Sequence, residues 1–236
     1  PTLNQLRDLI LDSNNIGNSG SLSLARSKYL TNLKNLNMID NNFNVYGESA
    51  LLDLRTRNLA EKISVDKSLN LNALCLKNKD IKAISLHQKL EKVFHLSLRN
   101  NFFDHQGLSD LATSPFSKNL KKLNLMDNAI GDKGLVLLSE SDSMSKIELL
   151  NLENTGATSI GILALSQSSH LKNLQELNLN KNSIDNKGLL LLAESENFKN
   201  LKVLKISGIA MGDKGFQLII NSKTLKKLEE LEVAGN

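Results

Sequence analysis

The 236-residue chain holds 48 leucines and 30 asparagines, two prolines, one cysteine and no tryptophan. Its 29 basic and 25 acidic residues leave a net charge of +4, too mild and mixed for the clustered field of a nucleic-acid binder. Hydrophobic residues at 40% exclude disorder, the longest apolar run (Leu189–Ala193) is too short to cross a bilayer, and a lone Cys75 excludes a disulfide framework.

One template recurs along the chain, with apolar residues at offsets 0, 3, 5 and 10 and asparagine at offset 8. Matches begin at Leu6, Leu33, Leu71, Val93, Leu120, Ile147, Leu174, Leu201 and Leu228, and from Val93 onward the step is always 27 residues. Offsets 3 and 5 alternate with polar residues, which predicts a short strand. Asn14, Asn41, Asn101, Asn128, Asn182 and Asn236 occupy offset 8, where a side-chain amide can bond backbone groups that a turning strand leaves open. Thr155 is a partial substitute there, and Lys79 and Ile209 depart from the pattern.

The second half of each copy predicts a helix. Asn18, Asp104, Asp132, Asp185 and Asp213 stand where an N-cap is needed. Glycine follows at offset 14 in seven of eight copies: Gly20, Gly47, Gly107, Gly134, Gly161, Gly188 and Gly215. Inside a helix glycine costs up to about 1 kcal/mol against alanine, so its recurrence predicts a close approach to the strand layer.

The period breaks once. From Leu33 to Leu71 the step is 38 residues, and from Leu71 to Val93 it is 22. Residues 51–69 read as an irregular, helix-compatible insertion, either a lengthened connection without a role or a protrusion presenting Arg55 and Arg57 to a partner. The short copy at Leu71 lacks both the asparagine (Lys79) and the glycine (Ser85), which predicts a single irregular turn in place of its helix. The chain reads as a single domain over 1–236. It stops in mid-repeat at Asn236, so a piece of a longer protein is expected.

One copy cannot bury its own leucines. Stacking lets each cover the next, with strands about 4.8 Å apart and the wider helices outside, which bends the stack. The run Leu-x-x-Leu-x-Leu-x-x-Asn-x-Ile-Gly-Asp-x-Gly-Leu at Leu120–Leu135 resembles the leucine-rich repeats of the ribonuclease-inhibitor-like class. That resemblance covers essentially the whole chain. It implies an α/β solenoid of about nine repeats, a curved horseshoe with parallel strands on the concave face and helices on the convex face. The role it implies is protein binding without catalysis, cofactor or metal.

Reading the outward strand columns down the stack gives a basic patch of Lys77, His95, Arg99 and Lys122. Acidic groups follow at Glu153, Glu176, Glu230 and Glu232, with Asp8, Asp12 and Asp40 at the other end. Phe102, Met126 and Leu149 are apolar anchor candidates beside the basic patch. Asn124, with Asn151 and Asn178, is either a contact residue or a rung of a structural ladder. Lys77, His95, Arg99, Phe102, Lys122, Asn124, Met126, Leu149, Glu153 and Glu176 are therefore the expected partner-binding residues, on a face whose charge stripes would orient a complementary protein. Cys75, His95 and Asn124 superficially align as a Cys-His-Asn set, but diagonal neighbours on adjacent strands lie roughly 7–8 Å apart. His87, His105 and His170 share no metal-ligand spacing.

The expected partner is a protein, not nucleic acid or a membrane, and the chain is expected to be a monomer. An Asn- and Lys-rich composition suggests an AT-rich genome and a bacterial effector acting on host proteins. The alternative is a GTPase-activating protein resembling the leucine-rich-repeat activators of nucleotide-transport GTPases, with Arg55, Arg57 or Arg99 as the arginine. No signal peptide and no Asn-x-Ser/Thr site is visible, so the expected location is the cytoplasm, or a host cell reached without such a signal.

Overall fold

A computed structural model of the chain describes residues 3–33, 35–38, 40–44, 46, 47, 50, 51, 54 and 63–236. Nine three-residue strands occur among them: β1 (Asp8–Ile10), β2 (Asn35–Asn37), β3 (Ser68–Asn70), β4 (His95–Ser97), β5 (Lys122–Asn124), β6 (Leu149–Asn151), β7 (Glu176–Asn178), β8 (Val203–Lys205) and β9 (Glu230–Glu232). Seven helices whose bounds lie among the described residues alternate with them: α1 (Asn18–Arg26), α2 (Asn78–Ser85), α3 (His105–Thr113), α4 (Gly131–Glu140), α5 (Ser159–Gln167), α6 (Asn186–Glu194) and α7 (Asp213–Ile220). This is an α/β repeat fold. No helix of the described residues is long and apolar enough to cross a membrane.

Register follows the leucine column. The named strands pair in parallel, and Leu96, Leu123, Leu150, Leu177 and Leu204 stand directly beside one another at the strand centres. They are buried with the offset-5 residues Leu125, Leu152, Leu179 and Ile206. Each such side chain contributes about 1.5–3 kcal/mol by leaving water. Strands stay short because offset 7 is left-handed in every unit the structure describes there, from Ser13 (φ 54°) through Asn100, Asp127, Asn154 and Lys181 to Gly235 (φ 67°). That bend turns the following offset-8 asparagine inward.

Three side-chain ladders then join successive units. In the first, the N–H groups of Leu74 and Leu76 donate to Asn101 Oδ1 at 3.0 Å each, and its Nδ2 donates to the Leu71 and Leu98 carbonyls. Asn41, Asn128, Asn182 and Asn236 repeat this reach into the preceding unit. In the second, Ser114, Ser141, Ser168, Ser195 and Ser222 donate to carbonyls ending the preceding helix, at Ser85, Ala112, Ser139, Ser166 and Ala193. In the third, offset-12 side chains accept from the next unit, as Asn78 does from Asp104 N and Asp132 from Thr158 N and Gly161 N.

That third ladder corrects part of the capping scheme. Asp104 and Asp185 are N-caps, accepting from Gln106 N and from Lys187 N and Gly188 N. Asn18, Asp132 and Asp213 instead lie inside the first helical turn, and Asp132 serves the neighbouring unit. The recurrent glycines also make room for something other than strands. A Cβ at Gly188 would lie 2.4 Å from Ser159 Oγ of the preceding unit and 2.6 Å from its own Ile184 Cγ2.

The third unit is shifted from the expected register. Ser68 pairs with His95, so that unit begins at Asp66, a full 27 residues before Val93, and not at Leu71. The 22-residue copy does not exist, and its helix is the regular eight-residue α2 rather than an irregular turn. Leu74 takes the asparagine position and Asp80 the glycine position, both buried. The expected 51–69 insertion overruns β3 at its end. Residues 52, 53 and 55–62, with Arg55 and Arg57, lie outside the described residues.

Among the described residues the strands fall into two sheets, divided at that same place. β1 and β2 form one sheet and β3 to β9 another. The buried side chains divide likewise, one cluster running from Ala25 to Leu54 and a larger one from Leu69 to Leu225.

Candidate functional site

The strand face left open by the helices carries three columns of outward side chains. The offset-2 column of the larger sheet reads Ser68, His95, Lys122, Leu149, Glu176, Val203 and Glu230, each directly beside the next. His95, Lys122, Leu149 and Glu176 therefore form one unbroken row.

Lys77 does not belong to it. The register shift places Lys77 at the N-cap of α2, where its N–H donates to Asp80 at 2.7 Å. Cys75 moves with it and lies against Asn37, thiol to amide oxygen at 3.3 Å, so no Cys75–His95–Asn124 alignment forms. Phe102 is 61% exposed, yet it lines a cavity of about 390 Å³ with Lys77, Cys75 and Asp80 rather than the Met126 and Leu149 surface.

Ions in the offset-6 column are matched by the left-handed residue of the next unit. Arg99 Nε lies 3.5 Å from Asp127, and Glu153 lies 2.8 Å from Lys181 Nζ. The hydrogen-bonded Glu153 carboxylate holds Lys181 above the usual lysine range. Farther along, Lys205 meets Glu232 at 2.9 Å and Glu230 at 3.1 Å. Lys205 is raised chiefly by Glu232, and Glu232 is lowered chiefly by Lys205. The expected acidic stripe is thus largely neutralised from within.

Asn124, Asn151 and Asn178 each accept from a backbone N–H two residues on, at Met126, Glu153 and Asn180, at 3.0–3.1 Å. Their carboxamide oxygens shape local turns; among the described residues the three do not bond one another, and Asn178 Nδ2 donates to Glu153 of the preceding unit at 3.2 Å. Met126 is half-buried beside them.

Two charges of the row remain. Lys122 and Glu176 are exposed and make no ion pair among the described residues. They stand two strands apart, about 10 Å by sheet geometry, with Leu149 between them. Beyond Leu149 lies a dimple of about 110 Å³ lined by Leu149, Asn151, Glu176, Asn178, Val203 and Lys205.

His95 ends the row in a relay the sequence reading missed. Ser68 Oγ donates to Asp66 at 2.7 Å and lies 3.0 Å from His95 Nδ1, so a neutral His95 must carry its proton on Nδ1. Hydrogen bonds from Ser64 and Ser68 hold the Asp66 carboxyl down to about 2. The resulting stabilisation is complete above the unfolded value near 3.9 and is lost as pH falls through about 2. Ser64→Ala should move the Asp66 titration, followed by NMR, back up toward an ordinary aspartate. An unmoved titration would assign the shift elsewhere.

Two segments, 116–139 and 170–193, match the family profile described as Leucine Rich repeat. The chain carries leucine-rich repeats. Both matched segments run from just before a strand to the next helix, through the Asn128 and Asn182 rungs. Such repeats generally mediate protein–protein interaction and are typically binding scaffolds rather than enzymes. A comparison with curated proteins finds no match.

Proposed function

We propose that this leucine-rich-repeat chain is a non-catalytic recognition scaffold that takes a protein partner on its open strand face, centred on Lys122, Leu149 and Glu176. The observation carrying this reading is the pair of unmatched opposite charges flanking an apolar side chain, where neighbouring ions are satisfied from within. A partner offering an acidic, an apolar and a basic group in that order would neutralise both charges and cover Leu149 and Val203.

In this reading the stack is a curved horseshoe of about nine ribonuclease-inhibitor-like repeats, and the row lies on its concave side. The greater width of helices than strands supports that curvature. Composition supports a bacterial source with host partners, met in the cytoplasm or after secretion into a host cell. The GTPase-activating alternative has less support: Arg99 is engaged by Asp127, and Arg55 and Arg57 lie outside the described residues.

The test is capture from a cytosolic lysate by the parent, by Lys122→Glu/Glu176→Lys, and by Lys82→Glu on the helix side as control. A specific partner should be lost from the double variant and kept by the control. Equal capture by all three would sink the strand-face proposal.

A further inference from the structure

The helix side carries a second surface, opposite the strands and independent of the reading above. Helices α4 and α6 repeat one pattern: lysine in the first turn, an apolar pair in the middle and glutamate as the last residue. In α4 these are Lys133, Val136–Leu137 and Glu140; in α6 they are Lys187, Leu190–Leu191 and Glu194. Lysine and glutamate are seven residues apart in both, two helical turns, and so share a face. Between these helices, α5 is apolar on the same outward line, with Ile160 66% and Leu163 40% exposed, continued by Leu190 at 39%. That line ends at Ser109 on α3 and Gln217 on α7, although α7 also exposes Phe216 and Ile220 to either side of it.

The charges around the patch run against the helix dipole. A cation near a helix N-terminus and an anion at its C-terminus are each disfavoured by the backbone. None of the four makes an ion pair among the described residues. Asp132 beside Lys133 is turned to Thr158 and Gly161, and Asp185, which feels the Lys187 charge, is bonded to Ser159 and to the Lys187 and Gly188 N–H groups. An arrangement unfavourable within one chain becomes favourable against a second copy laid helix to helix and antiparallel.

We propose that this chain self-associates through the outward faces of α4, α5 and α6, about a two-fold axis parallel to the direction of stacking. That axis brings each helix over its own counterpart in reverse. Lys133 then meets the other copy's Glu140 and Lys187 its Glu194, each twice by symmetry, with Leu163 and Leu190 packed between them. A two-fold axis along the helices would set lysine on lysine. The charge rows therefore select the orientation, and the result departs from the monomer expected of the sequence.

Sedimentation equilibrium over a range of concentrations should show the parent shifting reversibly from one chain mass toward two. Lys133→Glu/Lys187→Glu should associate at least tenfold more weakly, as should Glu140→Lys/Glu194→Lys, with circular dichroism unchanged. Mixed in equal amounts, the all-acidic and all-basic chains should pair as a heterodimer, because every reversed contact is complementary again. A parent that sediments as one chain throughout overturns the proposal. So does parental-strength self-association of either variant, or a mixture that fails to associate.

Discussion

Asn101→Ala should lower the free energy of unfolding by about 3–5 kcal/mol, as read from the urea midpoint. The side chain is buried and serves four main-chain groups at 3.0 Å or less, the N–H groups of Leu74 and Leu76 and the carbonyls of Leu71 and Leu98, and a fifth, the Arg99 carbonyl, at 3.3 Å. Each buried group left without a partner costs about 1–3 kcal/mol, and local relaxation recovers part of the sum. Asn101→Asp is expected to be no better, since it would aim carboxylate oxygens at two carbonyls. Asn124→Ala is the contrast, removing one half-buried bond to Met126 N at 3.1 Å and costing under about 1 kcal/mol. If Asn101→Ala cost no more than Asn124→Ala, the ladder would not hold the stack together.

Gly161→Ala should destabilise by about 2 kcal/mol, although alanine is the better helix former by up to about 1 kcal/mol. The new Cβ would lie 2.6 Å from Leu135 Cδ2 and 2.7 Å from Asp132 Oδ1. Leucine can rotate. Asp132 cannot withdraw without releasing Thr158 N at 2.8 Å and Gly161 N at 2.9 Å. Crowding therefore wins over propensity, and the thermal midpoint should fall. A rise on substitution would mean that α4 and α5 have slack the packing does not show.

Much of the fold could be read from leucine and asparagine spacing, because each position answers one physical need that recurs every 27 residues. The third unit escaped for an equally physical reason. Leu71, Leu74, Leu76 and Ile81 reproduce the template's apolar spacing, and Leu74 could imitate a strand residue only because this unit lacks the asparagine that would have forbidden it. Asp66, polar at a position elsewhere apolar, hid the true start. The serine ladder was visible at Ser114, Ser141, Ser168, Ser195 and Ser222, but a search tuned to apolar residues passes over a small hydroxyl.

The candidate face was legible in part. His95, Lys122, Leu149 and Glu176 form the expected row because strand register alone fixes their places. Arg99 and Glu153, expected as outward contact residues, are engaged by Asp127 and Lys181. Their partners, Asp127 and Lys181, come from the left-handed corner of the next unit, and a column-by-column reading treats columns as independent. Lys77 fell with the register of its unit, and Phe102 sits with it rather than with Met126.

The asparagine and serine ladders share one direction, each side chain reaching into the unit before its own. A unit newly made on the ribosome therefore has open backbone groups until its successor emerges. With 27 residues per unit and roughly 5–20 residues added each second, that wait lasts roughly one to five seconds. Folding during synthesis should accordingly trail the growing chain by one unit, each new turn of the stack closing the one made before it.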